Sequence, residues 1–427
     1  MDLEPRHRLP FPLPSHWPAC AQGLLREGAV WLHDGGTGED LLGLPGETLR
    51  TTWAGEAWAT SLNREDWPGS PWEALEAVIP SHPFPWVGAA SFELACDEGG
   101  LPRKPVPEGQ LGQHWVGLRE ALRVKDGAAE LWSWSAIPPD PAAWLARLSP
   151  ARAPDGAALD LSPAWGASRH RSAVEAIRTR ILEGGFYVAN LCVPFQGRLS
   201  GDPAALALSC FDRARPPFGA LLDLGGLHLL SLSMERLLAR RGDRIWSQPI
   251  KGSAPLTGNP GRDAAAAEAL AADPKERAEH TMILDLVRND LGRVARAGSV
   301  QVVRPMAVEP YPTVQHLVST VEATAKPGLG LAGLLRAVLP GGSVTGAPKH
   351  AVCRHLAEAE AAPRGFYCGA LGWIAPNGDL DLALPIRTAQ IEAERITYWT
   401  GGGITRRSDP DREWQELHLK TRALTGD

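Results

Sequence analysis

Two hydrophobic spacings alternate along this chain, and together they set out its elements. Over residues 172–183 the apolar Val174, Ile177, Ile181 and Leu182 recur at helical spacing, and Gly184-Gly185 ends the segment. A strand pattern follows over 186–195, and a strand pair spans 221–250 with its turn at Arg241-Gly242-Asp243. Strands joined by so short a turn run antiparallel, which brings Glu235 and Lys251 near each other on one sheet. Before residue 134, Pro and Gly break the pattern more often. A helical patch lies near Trp72, residues 84–93 read as strand, and residues 115–135 read as a hairpin turned at Lys125-Asp126-Gly127. Residues 136–166 are rich in Pro, Ala and Asp and read as a linker around a short helix. A boundary is therefore expected near residue 160, dividing the chain into 1–160 and 161–427.

Composition removes whole classes of function. The 427 residues carry 43 basic and 49 acidic side chains, a formal charge of -6, so the basic field that nucleic-acid binding requires is missing. Apolar runs fall well short of the roughly 20 residues that span a bilayer, and the expected location is cytoplasmic, with neither nucleic acid nor membrane as partner. Cys20, Cys96, Cys192, Cys210, Cys353 and Cys368 are scattered without C-x-x-C spacing, which suggests buried thiols rather than zinc ligands or disulfides. The 16 tryptophans show no repeat period.

Lys251 lies in Ser247-Gln248-Pro249-Ile250-Lys251-Gly252-Ser253, which is extended because proline disfavours helix and glycine admits close approach. Burial there lowers an amine from its usual pKa of about 10.4 and frees a nucleophilic lone pair; left exposed, it is an ordinary lysine after a strand. Two distant segments share an opening and a payload. Asp273-Pro274 leads to Glu276 and Glu279, and Asp409-Pro410 to Glu413 and Glu416. Each places Asp as N-cap, Pro at the first helical position, and E-x-x-E on one helix face. If the faces meet, four carboxylates repel unless a cation lies between them, and an all-oxygen set favours Mg²⁺ over zinc. Each E-x-x-E alone also reads as first-turn acids favoured by the helix dipole, with Glu276 closing a capping box and Glu416 paired to Lys420 at i+4.

Weaker features lie between these helices. His316 sits in a short apolar run, where a lone histidine is commonly a satisfied core residue. The stretch GGSVTGAPK, which includes Ser343, is a Gly-rich loop entering a helix over 350–360, a place for backbone N–H groups to meet an anion, though without P-loop spacing. Tyr367 and Arg387 fall in strand-like stretches, and Gly401-Gly402-Gly403 follows a strand over 395–400. Arg387 can clamp a carboxylate bidentately, with the triglycine amides as further donors. Together these features describe a magnesium-assisted site for a small molecule bearing two carboxylates.

The stretches PIKGS, DPKERAEHTMILDLVRNDLGR, YPTVQHLVS, LPGGSVTGAPK, FYCGALGW, LALPIRTAQ, GGGIT and DPDREWQELHLKTRAL resemble, in order, those of the chorismate-utilising enzymes. That family includes anthranilate synthase component I, aminodeoxychorismate synthase component I, isochorismate synthases and salicylate synthases. The resemblance is dense over 170–427 and faint over 1–160, where it centres on residues 86–93. It implies an α+β fold of large antiparallel β-sheets flanked by helices, with an anthranilate synthase component I-like N-terminal region ahead of a chorismate-binding catalytic domain. It also implies that Glu279 and Glu416 bind magnesium, with Glu276 and Glu413 acting through water, and that the metal holds the ring carboxylate of chorismate. Arg387, Tyr367 and the amides of Gly402 and Gly403 match positions that bind the enolpyruvyl carboxylate, while Lys420 and His316 match residues lining the ring.

Within the family the lysine of P-I-K-G-[ST] separates branches. Members resembling aminodeoxychorismate synthase carry it, whereas anthranilate synthases have a small residue there. Isochorismate and salicylate synthases use another lysine, in the strand matching residues 187–191, where this chain has none. The resemblance therefore implies amination of chorismate at C4 through a Lys251 adduct with Glu235 as acid, and anthranilate synthesis or a non-catalytic binding homologue as alternatives. Ammonia is expected from a separate glutamine amidotransferase subunit, because no stretch of domain size is left over for one. Three departures stand out. Met234 replaces the family's proline before the acid, Val188 replaces a glutamine, and Trp31-Leu32-His33-Asp34 and Ala214-Arg215-Pro216-Pro217-Phe218 replace the motifs that hold tryptophan in relatives.

Overall fold

Residues 1–427 except 2, 15–16, 149–157, 312–313 and 427 are described by a computed structural model of the chain. Short turns rich in Gly, Asn and Asp join successive strands, so neighbours in sequence pair antiparallel. Among the described residues 22 strands connect into one antiparallel network flanked by helices, the α+β architecture that the resemblance implies.

The network crosses residue 160. Strand Val30–Asp34 pairs with Phe218–Asp223, and Trp86–Ala90 pairs with Ala370–Ile374. On its other side Trp86–Ala90 pairs with Leu111–Lys125, and that pairing demands a glycine at 88, where a Cβ would stand 2.1 Å from His114 O. One core packs Trp72, Trp86 and Trp115 with Val321, Leu334 and Trp373, and a second packs Trp31 and Leu122 with Phe195, Tyr398 and Leu417. Each draws residues from both sides of residue 160. All six cysteines are buried thiols, as their spacing suggests.

Several elements differ from expectation. Residues 84–93 do not form a single strand: Trp86–Ala90 is strand, and helix α1 (Phe92–Glu98) follows, capped by Ser91 Oγ, which accepts Leu94 N–H at 3.2 Å. A short apolar run does not distinguish a buried strand from a buried helix, and the capping serine decides it. The hairpin forms as expected between Leu111–Lys125 and Ala128–Ser133, with Asp126 and Gly127 at φ 51° and 77°. In the expected linker the short helix is Pro141–Arg147, part of the stretch lies outside the described residues, and Ala158–Pro163 is a strand. That strand pairs with β1 (Val188–Ser200); its alternation of Leu159 and Leu161 with Asp160 and Ser162 is masked by the Pro/Ala/Asp composition around it. The helix expected over 172–183 begins earlier and spans Ala167–Leu182.

Residues 221–250 hold more than one strand pair. A further turn at Gly225-Gly226 divides Phe218–Asp223 from Leu227–Ser233, and Arg236–Arg241, Arg244–Gln248 and β2 (Ile250–Pro255) complete the run. The turn at Gly242-Asp243 stands where expected, with Arg241 opposite Arg244. Helix α2 (Pro274–Gly292) then leads through Gln301–Pro310 to β3 (Val314–Thr324), which pairs with β2. Helix α3 (Lys349–Ala359) follows the Gly-rich loop, β4 (Arg395–Ile404) pairs with β1, and α4 (Pro410–Thr425) closes the chain. Gly401, Gly402 and Gly403 lie inside β4 rather than after it, because their backbones continue the ladder with Cys192, Leu191 and Asn190. Tyr367 and Arg387 occupy a turn and a bend just ahead of strands Ala370–Ile374 and Thr388–Glu392 rather than the strands themselves. Among the described residues no helix is long and apolar enough to cross a membrane.

Candidate active site

Every candidate site residue singled out in the sequence lines one cavity of about 850 Å³. Lys251 reaches it from β2 because Gly252 makes a bulge, at φ 69°, in the pairing with β3. A side chain at 252 would also crowd Leu270 Cδ1 at 3.0 Å and Glu276 Oε2 at 3.1 Å. Lys251 is half-buried, and its amine makes no hydrogen bond or ion pair among the described residues.

Glu235 sits in the kink between Leu227–Ser233 and Arg236–Arg241, 5 % exposed. Ser343 Oγ–H donates to its Oε1 at 2.7 Å, so this serine is committed to the carboxylate. Burial pushes Glu235 up to about 7, against the pull of that hydrogen bond, the charge of Lys251 and the Ile250 N–H. A strand-edge carboxylate would be neither buried nor so held. An acid half-protonated near neutrality beside an unpaired amine is a pair suited to proton and covalent chemistry.

The two Asp-Pro openings form as expected. Asp273 accepts the N–H groups of Lys275 and Glu276 at 2.7 and 3.2 Å, and Asp409 those of Asp411 and Arg412 at 3.0 and 2.9 Å. With the first turns capped by aspartate, the glutamates are left to face the cavity. Burial raises Glu276, Glu279 and Glu413, and the helices act on each other: Glu416 pushes Glu276 up and Glu413 pushes Glu279 up. Glu416 is lowered, first by Lys420, whose Nζ stands 2.7 Å from its Oε1 and also donates to Gly401 O at 2.6 Å. The i+4 ion pair is therefore present, and it lies at the cavity wall. The neighbouring His280 Nε2, 2.7 Å from Ser319 Oγ, pins α2 to β3.

The donor set fits a hard divalent cation in kind, since it is four carboxylates with three held up by burial and by one another. Among the described residues no three His, Cys, Asp or Glu side chains stand close enough to make a ready cluster, so the carboxylates remain two pairs on two helices.

His316 is only half satisfied. Its Nδ1 lies 2.9 Å from both Gly252 O and Ser253 Oγ, while buried Nε2 has no partner among the described residues. A carbonyl can only accept, so Nδ1 carries the proton and Nε2 offers a lone pair. Burial lowers the imidazole to about 4, keeping it neutral. Arg387, at φ 49°, holds a left-handed backbone rare for a side chain of its size, and its guanidinium makes no hydrogen bond or ion pair among the described residues. Tyr367 is 4 % exposed and stacks on Trp399, centroids 6.1 Å apart.

The triglycine divides its labour. Asn190 and Cys192 send their N–H groups away from β4, to Thr345 O and Glu360 Oε1, so their partners Gly403 and Gly401 turn amides toward the cavity while Gly402 bonds within the ladder. Gly402 instead leaves room: a Cβ there would meet Glu413 Oε2 at 3.0 Å, and one at Gly403 would meet Lys251 Nζ at 3.4 Å. Asn190 and Tyr311 also line the cavity and were not singled out in the sequence, where neither lies in a pattern that marks chemistry. Leu32, His33, Asp34, Pro217 and Phe218, from the two departing motifs, line a second cavity of about 600 Å³ that shares Pro217, Met234, Ile250 and Tyr311 with the first.

A family model described as chorismate binding enzyme matches residues 30–426. The chain belongs to the chorismate binding enzyme family. Among its relatives, this chorismate binding enzyme is 38 % identical over 356 residues to aminodeoxychorismate synthase component 1 of Klebsiella aerogenes, covering 80 % of this chain and 78 % of that one. It is 39 % identical over 254 residues to anthranilate synthase component 1 of Thermus thermophilus, covering 59 % and 55 %. The crystal structure of anthranilate synthase component I from Streptococcus pneumoniae superposes with a TM-score of 0.76 at 26 % identity, covering 91 % of this chain and 92 % of that one. The Escherichia coli menaquinone-specific isochorismate synthase MenF shares the fold, with a TM-score of 0.74 at 19 % identity over 99 % of this chain and 95 % of that one.

Proposed function

We propose that this chorismate binding enzyme is an aminodeoxychorismate synthase component I, converting chorismate and ammonia to 4-amino-4-deoxychorismate and water on the way to p-aminobenzoate and folate. The observation that carries the reading is the Lys251 amine, unpaired among the described residues, beside buried Glu235, whose pKa of about 7 suits an acid at neutral pH. The Lys251 lone pair attacks ring C2, the double bonds shift, and the C4–O bond breaks as protonated Glu235 gives its proton to the departing hydroxyl, which leaves as water. Ammonia then attacks C4, the double bonds shift back, and the C2–N bond to Lys251 breaks; ammonia's surplus proton restores the acid form of Glu235. The enolpyruvyl group is retained.

Arg387 and the Gly401 and Gly403 amides present donors to a substrate carboxylate, and His316 Nε2 an acceptor to a substrate hydroxyl. Glu279 and Glu416 would hold Mg²⁺, with Glu276 and Glu413 behind water. The metal would supply a fixed countercharge for the second carboxylate of chorismate. Ammonia comes from a separate glutamine amidotransferase subunit; the designation component 1 in the relatives' names supports a multi-part enzyme.

Purified protein given chorismate, Mg²⁺ and ammonium is expected to form 4-amino-4-deoxychorismate without releasing pyruvate. Fluorescent anthranilate with free pyruvate would favour the second reading, anthranilate synthesis, which the relatives bearing that name support. No chorismate turnover would point to a binding homologue. Glutamine in place of ammonium is expected to sustain no turnover by this chain alone.

A further inference from the structure

Arg364 is 1 % exposed and spends its guanidinium wholly inside the protein. Nε and Nη2 form a fork on Glu360 at 2.9 and 2.6 Å, Nη2 also donates to Asn190 O at 2.9 Å, and Nη1 donates to Val344 O at 2.8 Å. Its Cζ lies 4.4 Å from the centroid of the Phe92 ring. A buried ion pair is weak ground for stability, because desolvating two charges offsets their attraction. The fork on Glu360 is complete without the two carbonyls, so those carbonyls need a separate reason.

Both residues, Val344 and Asn190, line the cavity. Val344 follows Ser343, whose hydroxyl holds Glu235 at 2.7 Å. Asn190 stands opposite Gly403, the glycine against which Lys251 Nζ rests. Glu360 closes the frame by accepting Cys192 N–H at 3.1 Å, two residues along the same strand. The guanidinium thus joins the loop behind the acid to the strand behind the amine. Its own origin is fixed from α1, where Glu93 accepts Arg364 N–H at 2.6 Å and Gly365 N–H at 3.0 Å.

We propose that Arg364 is a positioning residue for the reaction, setting the distance between Glu235 and Lys251 by tying the Val344 and Asn190 carbonyls to one rigid, planar group. The inference rests on the roles given to Lys251 and Glu235 above. Arg364 is buried behind the wall and acts through Ser343 and β1. Lysine cannot replace it, because a single ammonium does not span the fork and two divergent carbonyls.

A double-mutant cycle tests this. R364K is expected to lower kcat by about 10–100-fold with KM for chorismate within about threefold, since misplacement by about 1 Å can cost 10²-fold. S343A is expected to cost about tenfold. If Arg364 works through Ser343, the double variant falls no more than about twofold below the worse single one. Losses that multiply, or an effect on KM alone, would overturn the assignment. Should R364K not yield folded protein by circular dichroism, E360Q, which loosens the guanidinium's anchor, enters the same cycle under the same two outcomes. The wild-type product reports separately on the reaction, while coupling between positions 343 and 364 reports on Arg364 whichever product forms.

Discussion

Helices α2 and α4 open with the same Asp-Pro cap and carry the same pair of glutamates, yet their carboxylates are in different electrostatic states. On α2 both are raised, and the nearest cation to Glu279 on its own helix is Lys275 Nζ, at 3.9 Å. On α4 Glu413 is raised while Glu416 is lowered by Lys420 at 2.7 Å. Equal sequence payloads thus give one carboxylate already matched by a cation and three that gain from one. E-x-x-E marks a place for charge, and the residue one turn later decides how that charge is held.

Lys251→Ala is expected to lower C4 amination by about 10³-fold or more while Mg²⁺-dependent chorismate binding, followed by calorimetry, changes only a few-fold; lost binding would recast Lys251 as a ligand-holding cation. Glu279→Gln and Glu416→Gln should each lower kcat/KM by about 10²-fold, against about tenfold at Glu276 or Glu413, and equal losses at all four would remove the distinction between direct and water-mediated positions. Glu235 tests stability rather than rate. Its native pKa of about 7 lies above the ordinary 4.5, so the folded state binds more protons between those values and stability falls as pH rises through them. Glu235→Gln removes that penalty, stabilising by about 3 kcal/mol at pH 8 and by almost nothing at pH 4, read from denaturant unfolding. Lys420→Met makes α4 resemble α2; the gain in melting temperature on adding saturating Mg²⁺ should then exceed the wild-type gain by about 2–4 °C, and an unchanged gain would mean Lys420 does not set the contrast.

Much of the site was legible because its residues sit in local patterns. Asp-Pro followed by paired glutamates fixes a cap and a face at once, and the Pro-Ile-Lys-Gly order fixes an extended lysine beside a bulge. Ser343 was less legible: a Gly-rich loop suggested anion binding, whereas the hydroxyl reaches Glu235, 108 residues earlier in the chain. Arg364 and Glu93 were not legible, because a buried charge is recognised by what surrounds it: Glu360 is only four residues from Arg364, but the Asn190 carbonyl and Glu93 come from distant segments. The same reason hid the strand Ala158–Pro163, whose ladder partner lies beyond a helix. Periodicity reports on faces, and composition on averages; neither reports on tertiary pairing.

The sheet that crosses residue 160 limits how this protein can be cut. A fragment beginning at 161 would strip Phe218–Asp223 and Ala370–Ile374 each of one of its two neighbours, baring two rows of unpaired backbone groups on apolar strands. Such edges recruit other chains, so recombinant production of the carboxylate-bearing half alone should give inclusion bodies. Co-expression with 1–160 as a separate polypeptide would be the way to keep it in solution.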